Sequence, residues 1–438
     1  MENILPKISN KIVIGDGAMG TMLQRYGLQA GEIPEEWVLK HPEKILSIHQ
    51  EYVDAGSMLI ETNTFGGNRI KLKTGGLEDK IKKINTEAVN IAKKTDENVY
   101  VAGSVGPTGK MMEPYGQLDY KEAEEAYKEQ IYILATAGVD IILIETMSDL
   151  KEISAAVKAA RNIEIPVIAQ MTFSENMYSL TGNTPETFAI TVDSLGADII
   201  GVNCTSGIEN TLPIIEKINN ITDKPLSIFP NAGKPILKHG KTTYPQTPLS
   251  FIEKLAELLK YNVKIVGGCC GTTPEHIKVL AKKIVNNKDN NIEKSKTNQE
   301  KDNIIFLSGS REYIKIKSTD SFKLIKEEKN ISKAGDHIKV LEDKDCDLVY
   351  LNLEKVDYEK LVSNIRKPVV IKSNKKDNIK SFLQKYTGKA MLFIKQEPKE
   401  ILKLAEKFGV NIICKDTNKK LYNDLKKIKR PIVGLIRE

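Results

Sequence analysis

Cysteine is scarce in this chain, five residues in 438, and no apolar run approaches the roughly 18 residues that a membrane-crossing helix needs. So few thiols exclude a disulfide framework for a chain of this length. In a reducing compartment they would stay free to bind metal. The amino terminus, MENILPKISN, lacks the apolar stretch that heads a secretory leader. These absences predict a cytoplasmic globular protein with no membrane segment. A strong charge excess is also lacking, since the formal net charge is only +7. That figure conceals a division: residues 304–438 carry 31 Lys and Arg against 19 Asp and Glu, whereas residues 1–303 carry 34 against 39. The lysines of the tail are dispersed, which fits a solvated surface better than a nucleic-acid groove. No nucleic-acid partner is expected.

Apolar residues are most sparse between positions 286 and 303, where NNKDNNIEKSKTNQEKDN holds one apolar residue and cannot enter a core. It reads as a linker between a first domain, 1–285, and a second, 304–438. Within the first domain eight short apolar runs alternate with longer segments of helical period: IVIGDGAMG, SMLIETNTF, VYVAGSVGP, VDIILIETM, IPVIAQMTF, ADIIGVNCT, PLSIFPNAG and VKIVGGCCG. Runs of aliphatic and β-branched residues without polar alternation suit strands covered on both faces, as in a parallel sheet. Gly56, Gly138 and Gly196 each stand where a helix would hand over to a strand, and Thr184-Pro185 and Thr273-Pro274 read as helix starts. Eight strand–helix units in about 275 residues match a closed (β/α)8 TIM barrel. An open doubly wound sheet is the alternative. It would gather its unusual residues at one switch point, whereas here seven or more strands end in polar or glycine-rich sequence, as one barrel rim requires.

Cys204 closes the sixth run and Cys269-Cys270 close the eighth, so a barrel would bring three thiols to one mouth. Three thiolates suit zinc, and a fourth position left open marks a catalytic site. Gly267, Gly268 and Gly271 would let the backbone bend enough for adjacent side chains to face one ion. Spacing alone leaves another reading open, a pair of buried structural cysteines plus an unrelated third. Cys346 and Cys414 lie by apolar runs and read as core packing.

The segments GDGAMGTMLQ, ETNTFGGNRIKL, AGSVGPTG, IETMSDL, GVNCTSG and GGCCGTTPEHI resemble, in the same order, the homocysteine S-methyltransferase family. The likeness is greatest to the homocysteine-binding domain of cobalamin-dependent methionine synthase and covers residues 10 to about 285. It implies a (β/α)8 barrel that binds zinc through Cys204, Cys269 and Cys270 and takes L-homocysteine as a fourth, thiolate ligand. The substrate sulfur is then the nucleophile, and no protein nucleophile is implied. The resemblance also places Asp16 and Glu145 near the substrate ammonium, although capping or rim salt bridges would equally explain carboxylates at strand ends. Phe65 and the peptides from Gly17 to Gly20 would line the pocket. Asn231 is a candidate for a loose fourth ligand when homocysteine is absent, or a plain loop asparagine.

Residues 304–438 again alternate: DLVYLNL, PVVIKSN, GKAMLFI, VNIICKD and PIVGLIRE predict a smaller α/β domain resembling part of a second barrel, the pterin-binding one. Its departures are chemical. Tyr350, Lys372 and Phe393-Ile394 stand where that family places acidic and amide groups, which implies a degenerate remnant that does not bind folate. No D-x-H-x-x-G cobalamin motif occurs; Asp336-His337 is followed by Ile338, Lys339 and Val340. The methyl donor is then external, either methylcobalamin on a separate corrinoid protein or a sulfonium compound such as S-methylmethionine. A reading from another class is a non-catalytic zinc-bound amino-acid sensor or scaffold.

Overall fold

The computed structural model describes residues 4–238, 241–286, 304–317, 349–354, 358, 362, 365–393, 399–415 and 432–436. They fall into two compact units, one from residues 1–112, 116–181 and 197–297, the other from 113–115, 182–196 and 298–438. Asp336-His337, Cys346, Ile394 and the linker beyond Asn286 lie outside the described residues.

All eight apolar runs of the first domain form strands: β1 (Val13–Ile14), β2 (Leu59–Glu61), β3 (Tyr100–Val105), β4 (Ile141–Met147), β5 (Val167–Met171), β6 (Ile199–Asn203) and β7 (Leu226–Phe229). The eighth, β10 (Val263–Val266), follows a short antiparallel hairpin, β8 (Ile236–Lys238) and β9 (Lys241–Thr243), that the apolar pattern did not announce. The sheet is parallel with order β1-β10-β7-β6-β5-β4-β3-β2. Its two end strands meet where Met58 N–H donates to Ile14 O at 2.7 Å, so the sheet curls into a barrel and the open-sheet alternative falls. The strand interiors are buried to the last residue in β3, β5, β6 and β7, which is why they lack polar alternation.

Inward residues Val13, Leu59, Ala102, Leu143, Ile168, Ile199, Phe229 and Ile265 form one core with Ile4 and Ile8 of the first helix (Ile4–Asn10). Each fully buried aliphatic side chain contributes about 1.5–3 kcal/mol. The expected helix ends are present. Gly138 and Gly196 close their helices in the left-handed region (φ 95° and 96°) and Gly56 has φ 107°. Thr184 caps the helix Pro185–Leu195 through Thr187 N–H, with Thr187 bonding back.

His49, on the helix Pro42–Asp54, is fully buried with neither ring nitrogen hydrogen-bonded, and burial pulls its pKa from 6.5 to about 4. Between those values the unfolded chain takes up a proton that the folded chain refuses, so stability is full above pH 6.5 and declines as pH falls toward 4. Urea titrations at pH 7.5 and 5 should show about 2 kcal/mol lost to this group on acidification, and His49→Leu should remove that part of the loss. An equal pH slope in the two proteins would refute the assignment.

The second unit holds a hairpin, β11 (Ile304–Ser308) with β12 (Tyr313–Lys317), and a five-stranded parallel sheet. The sheet runs β13 (Val349–Asn352), β14 (Val369–Lys372), β15 (Met391–Phe393), β16 (Asn411–Lys415) and β17 (Ile432–Ile436), in sequential order. These are the five tail runs. Leu351, Ile371, Ile379, Phe382, Leu392 and Leu404 lie in its core. Tyr350 and Phe393 stand edge to face with ring centroids 6.5 Å apart, and Lys372 pairs in register with Phe393. Cys414 lies in β16.

Candidate metal centre

Every barrel strand delivers its last residue to the same rim. Cys204 follows β6 in the left-handed region (φ 55°), an unusual conformation for a residue with a Cβ, and its N–H is held by Phe229 O at 3.0 Å. Beyond β10 the chain is clamped between its neighbours: Gly267 N–H donates to Ile228 O at 3.0 Å, Gly268 N–H to Asp16 O at 2.8 Å and Cys269 N–H to Pro230 O at 2.8 Å. A Cβ at Gly267 would lie 2.4 Å from the Phe229 ring, and one at Gly271 (φ 81°) 2.3 Å from Tyr244, so only glycine permits this path. As a result two adjacent cysteines face one point. The ligand atoms of Cys204, Cys269 and Cys270 all lie within 4.8 Å of one another.

The electrostatics follow from that crowding. Hydrogen bonds from Cys204 and then Cys269, with Tyr244 behind them, pull Cys270 from 9.0 down to about 3 despite its burial. Cys269 is pushed well above the thiol range by its hydrogen bonds to Cys204 and Cys270 and by burial. The three thiols therefore share protons through their mutual hydrogen bonds. Sulfurs on a tetrahedral zinc ion would stand roughly 3.8 Å apart, given Zn–S of about 2.3 Å, a spacing within the bound these three thiols satisfy. Asn231 stands beside the thiols. Its Nδ2 donates to Cys204 O at 3.2 Å, while its Oδ1 is buried without a partner.

A carboxylate cluster shares this rim. Asp16 is 1% exposed; its Oδ2 accepts Glu61 N–H at 2.9 Å and its Oδ1 has no partner. Glu145 accepts from Ser104 Oγ, from Asn203 Nδ2 at 3.2 Å and from Thr146 Oγ1 at 3.4 Å, and shares a hydrogen bond with Glu61. Burial raises the pKa of all three carboxyls, Asp16 and Glu61 strongly. An unpartnered oxygen within such a group is a receptor for a cationic hydrogen-bond donor.

Residues 13–284 match the family model described as homocysteine S-methyltransferase. The chain belongs to the homocysteine S-methyltransferase family. It is 33% identical to "Methionine synthase" of Mycobacterium leprae over 302 residues, 64% of this chain and 25% of that protein. The corresponding figures for "Methionine synthase" of Mycobacterium tuberculosis are 33% over 307 residues, 65% and 25%. The chain thus spans about a quarter of the length of these relatives. The crystal structure of the homocysteine methyltransferase MmuM from Escherichia coli in its metallated form superposes with a TM-score of 0.55 at 22% identity, covering 64% of this chain and all of that one. That likeness is one of fold.

The geometry shows which residues stand at the barrel rim. Cys204, Cys269, Cys270, Asn231, Asp16 and Glu145 stand on one rim. At Gly17 a Cβ would lie 2.8 Å from Tyr52 and Thr272, so the chain there admits only glycine. Phe65 follows β2 with its ring over Gly106 and 37% of it exposed. Glu61, Asn203 and Tyr244 escaped the sequence reading. The first had a signal, because Leu59-Ile60-Glu61-Thr62 repeats Leu143-Ile144-Glu145-Thr146 at the end of another strand.

Proposed function

We propose that the barrel transfers a methyl group to the sulfur of L-homocysteine, forming methionine, with Cys204, Cys269 and Cys270 holding zinc. The observation that carries this is the convergence of three thiols, an unpartnered Asn231 oxygen and a buried carboxylate group on one rim. When bound, zinc would keep the substrate thiol, otherwise mostly protonated at neutral pH, as a thiolate. The chain's own residues do the rest. Glu145 and Asp16 receive the ammonium group, Asn231 would hold the fourth place when no substrate sulfur is bound, and Tyr244 donates to Cys270. Gly17 and Phe65 shape the wall.

The proposed division of labour gives this chemistry to residues 1–285 and treats 286–303 as a linker. In residues 304–438, aromatic and basic side chains at Tyr350, Lys372 and Phe393 leave a pterin ring without acidic or amide partners, and each ring donor or acceptor buried unpaired would cost about 1–3 kcal/mol. The donor in this reading is methylcobalamin on a separate corrinoid protein. Purified protein should therefore form methionine from homocysteine and methylcobalamin, and form none from methyltetrahydrofolate. Turnover with S-methylmethionine alone would replace this donor, and homocysteine binding without turnover by any donor would favour the sensor.

A further inference from the structure

Asn203 joins the two halves of the site. It ends β6, directly before Cys204, and is fully buried. Its Oδ1 accepts Thr146 N–H at 2.8 Å, and its Nδ2 donates to Thr146 Oγ1 at 2.7 Å and to Glu145 Oε2 at 3.2 Å. Its own carbonyl accepts Thr172 Oγ1 at 3.1 Å from the end of β5. The side-chain amide is therefore spent on two consecutive residues of β4, while the main chain on its other side turns immediately into a cysteine of the thiol cluster. Both residues it links are in the left-handed region, Thr146 at φ 56° and Cys204 at φ 55°. A β-branched residue such as Thr146 rarely adopts that conformation unless its surroundings impose it, and the Asn203 amide supplies both a donor and an acceptor that do so.

We propose that Asn203 is a positioning residue that fixes the distance between the ammonium-binding carboxylate and the thiol cluster, so that the site selects homocysteine over cysteine, its homologue one methylene shorter. The inference rests on Glu145 receiving the substrate ammonium. A substrate held at both ends must match the span between its two anchors, and a misplacement of an ångström costs binding steeply. Direct contact with a methylene discriminates by roughly 10- to 200-fold. Here the discrimination would come from a spacing held by one amide, with no wall needed to sense the missing carbon.

The test is calorimetric titration of zinc-loaded protein with homocysteine and with cysteine, which needs no methyl donor. Asn203→Ala should weaken homocysteine binding about tenfold and reduce the homocysteine-to-cysteine preference by a similar factor, with zinc still near one per chain. Asn203→Asp keeps the acceptor for Thr146 N–H but cannot donate to Glu145, so it should behave like the alanine variant. If Asn203→Ala does not fold, Thr146→Val, which removes the hydroxyl joining Asn203 to Glu145, should shift the preference in the same direction and decides the matter. A merely structural amide would lower stability and leave the preference unchanged; that result, or a loss of zinc parallel to the loss of homocysteine binding, overturns the proposal. Glu145→Ala separates the two levels: if it leaves homocysteine affinity intact, the ammonium reading fails and this inference with it. If it weakens affinity while the Asn203 variants do not change the preference, only this inference fails.

Discussion

Cys270→Ala is expected to leave the purified protein with little zinc and to lower methionine formation by at least about a thousandfold. Loss of an outer partner of a metal ligand typically costs 10- to 100-fold in affinity, and loss of a ligand itself should exceed that. Cys270 is also the thiol whose pKa hydrogen bonds from the other two sulfurs pull down. Without it two thiols remain, one short of a three-sulfur site, and each must still give up its proton to bind the metal. Cys204→Ala and Cys269→Ala should follow the same course. Cys414→Ala, in β16 of the second unit, should retain full zinc. Metal analysis of the five proteins decides it, and full occupancy in the Cys270 variant would contradict a three-thiolate site.

Glu145→Ala should act on the other end of the substrate. A buried, charge-assisted hydrogen bond contributes about 1.5–3 kcal/mol, so homocysteine affinity should fall about 10- to 150-fold while zinc content stays near that of the native protein. Glu145→Gln, which keeps an acceptor oxygen but no charge, should lie between. The pH dependence carries a sign. Burial raises the Glu145 pKa, so the ionised form that attracts ammonium is depleted as pH falls toward that raised value. Native affinity should therefore weaken on acidification more steeply than proton release by the substrate thiol alone requires, and the Gln variant should keep only the thiol's share. Equal homocysteine affinity in the native and Ala proteins would reduce Glu145 to a structural role.

The barrel was legible because its strands are covered on both faces. Eight unbroken apolar runs, each followed by a polar or glycine-rich end, are the direct signature of a buried parallel sheet whose loops share a rim. The three cysteines were legible for the same reason, since residues at strand ends must meet wherever the sheet closes. What stayed hidden depends on side-chain direction rather than on element order. Glu61 sits in a strand like any other last residue, and only the neighbouring carboxyls give it a place in the cluster. Asn203 reads as half of an Asn-Cys pair, and nothing in a linear sequence shows that its amide reaches across to β4. Tyr244 directly follows the hairpin β8–β9, whose three-residue strands are too short to register as a pattern. The same limit applied to Gly17, where a glycine assigned to the pocket wall is required by the Tyr52 and Thr272 side chains pressed against it.

The central claim is that homocysteine enters as a fourth sulfur beside Cys204, Cys269 and Cys270. X-ray absorption at the zinc edge, recorded on the purified protein before and after addition of homocysteine, tests it most directly. The account predicts a shell of three sulfurs and one lighter atom, with Zn–S of about 2.3 Å, that becomes a shell of four sulfurs. A first shell that homocysteine leaves unchanged would contradict it.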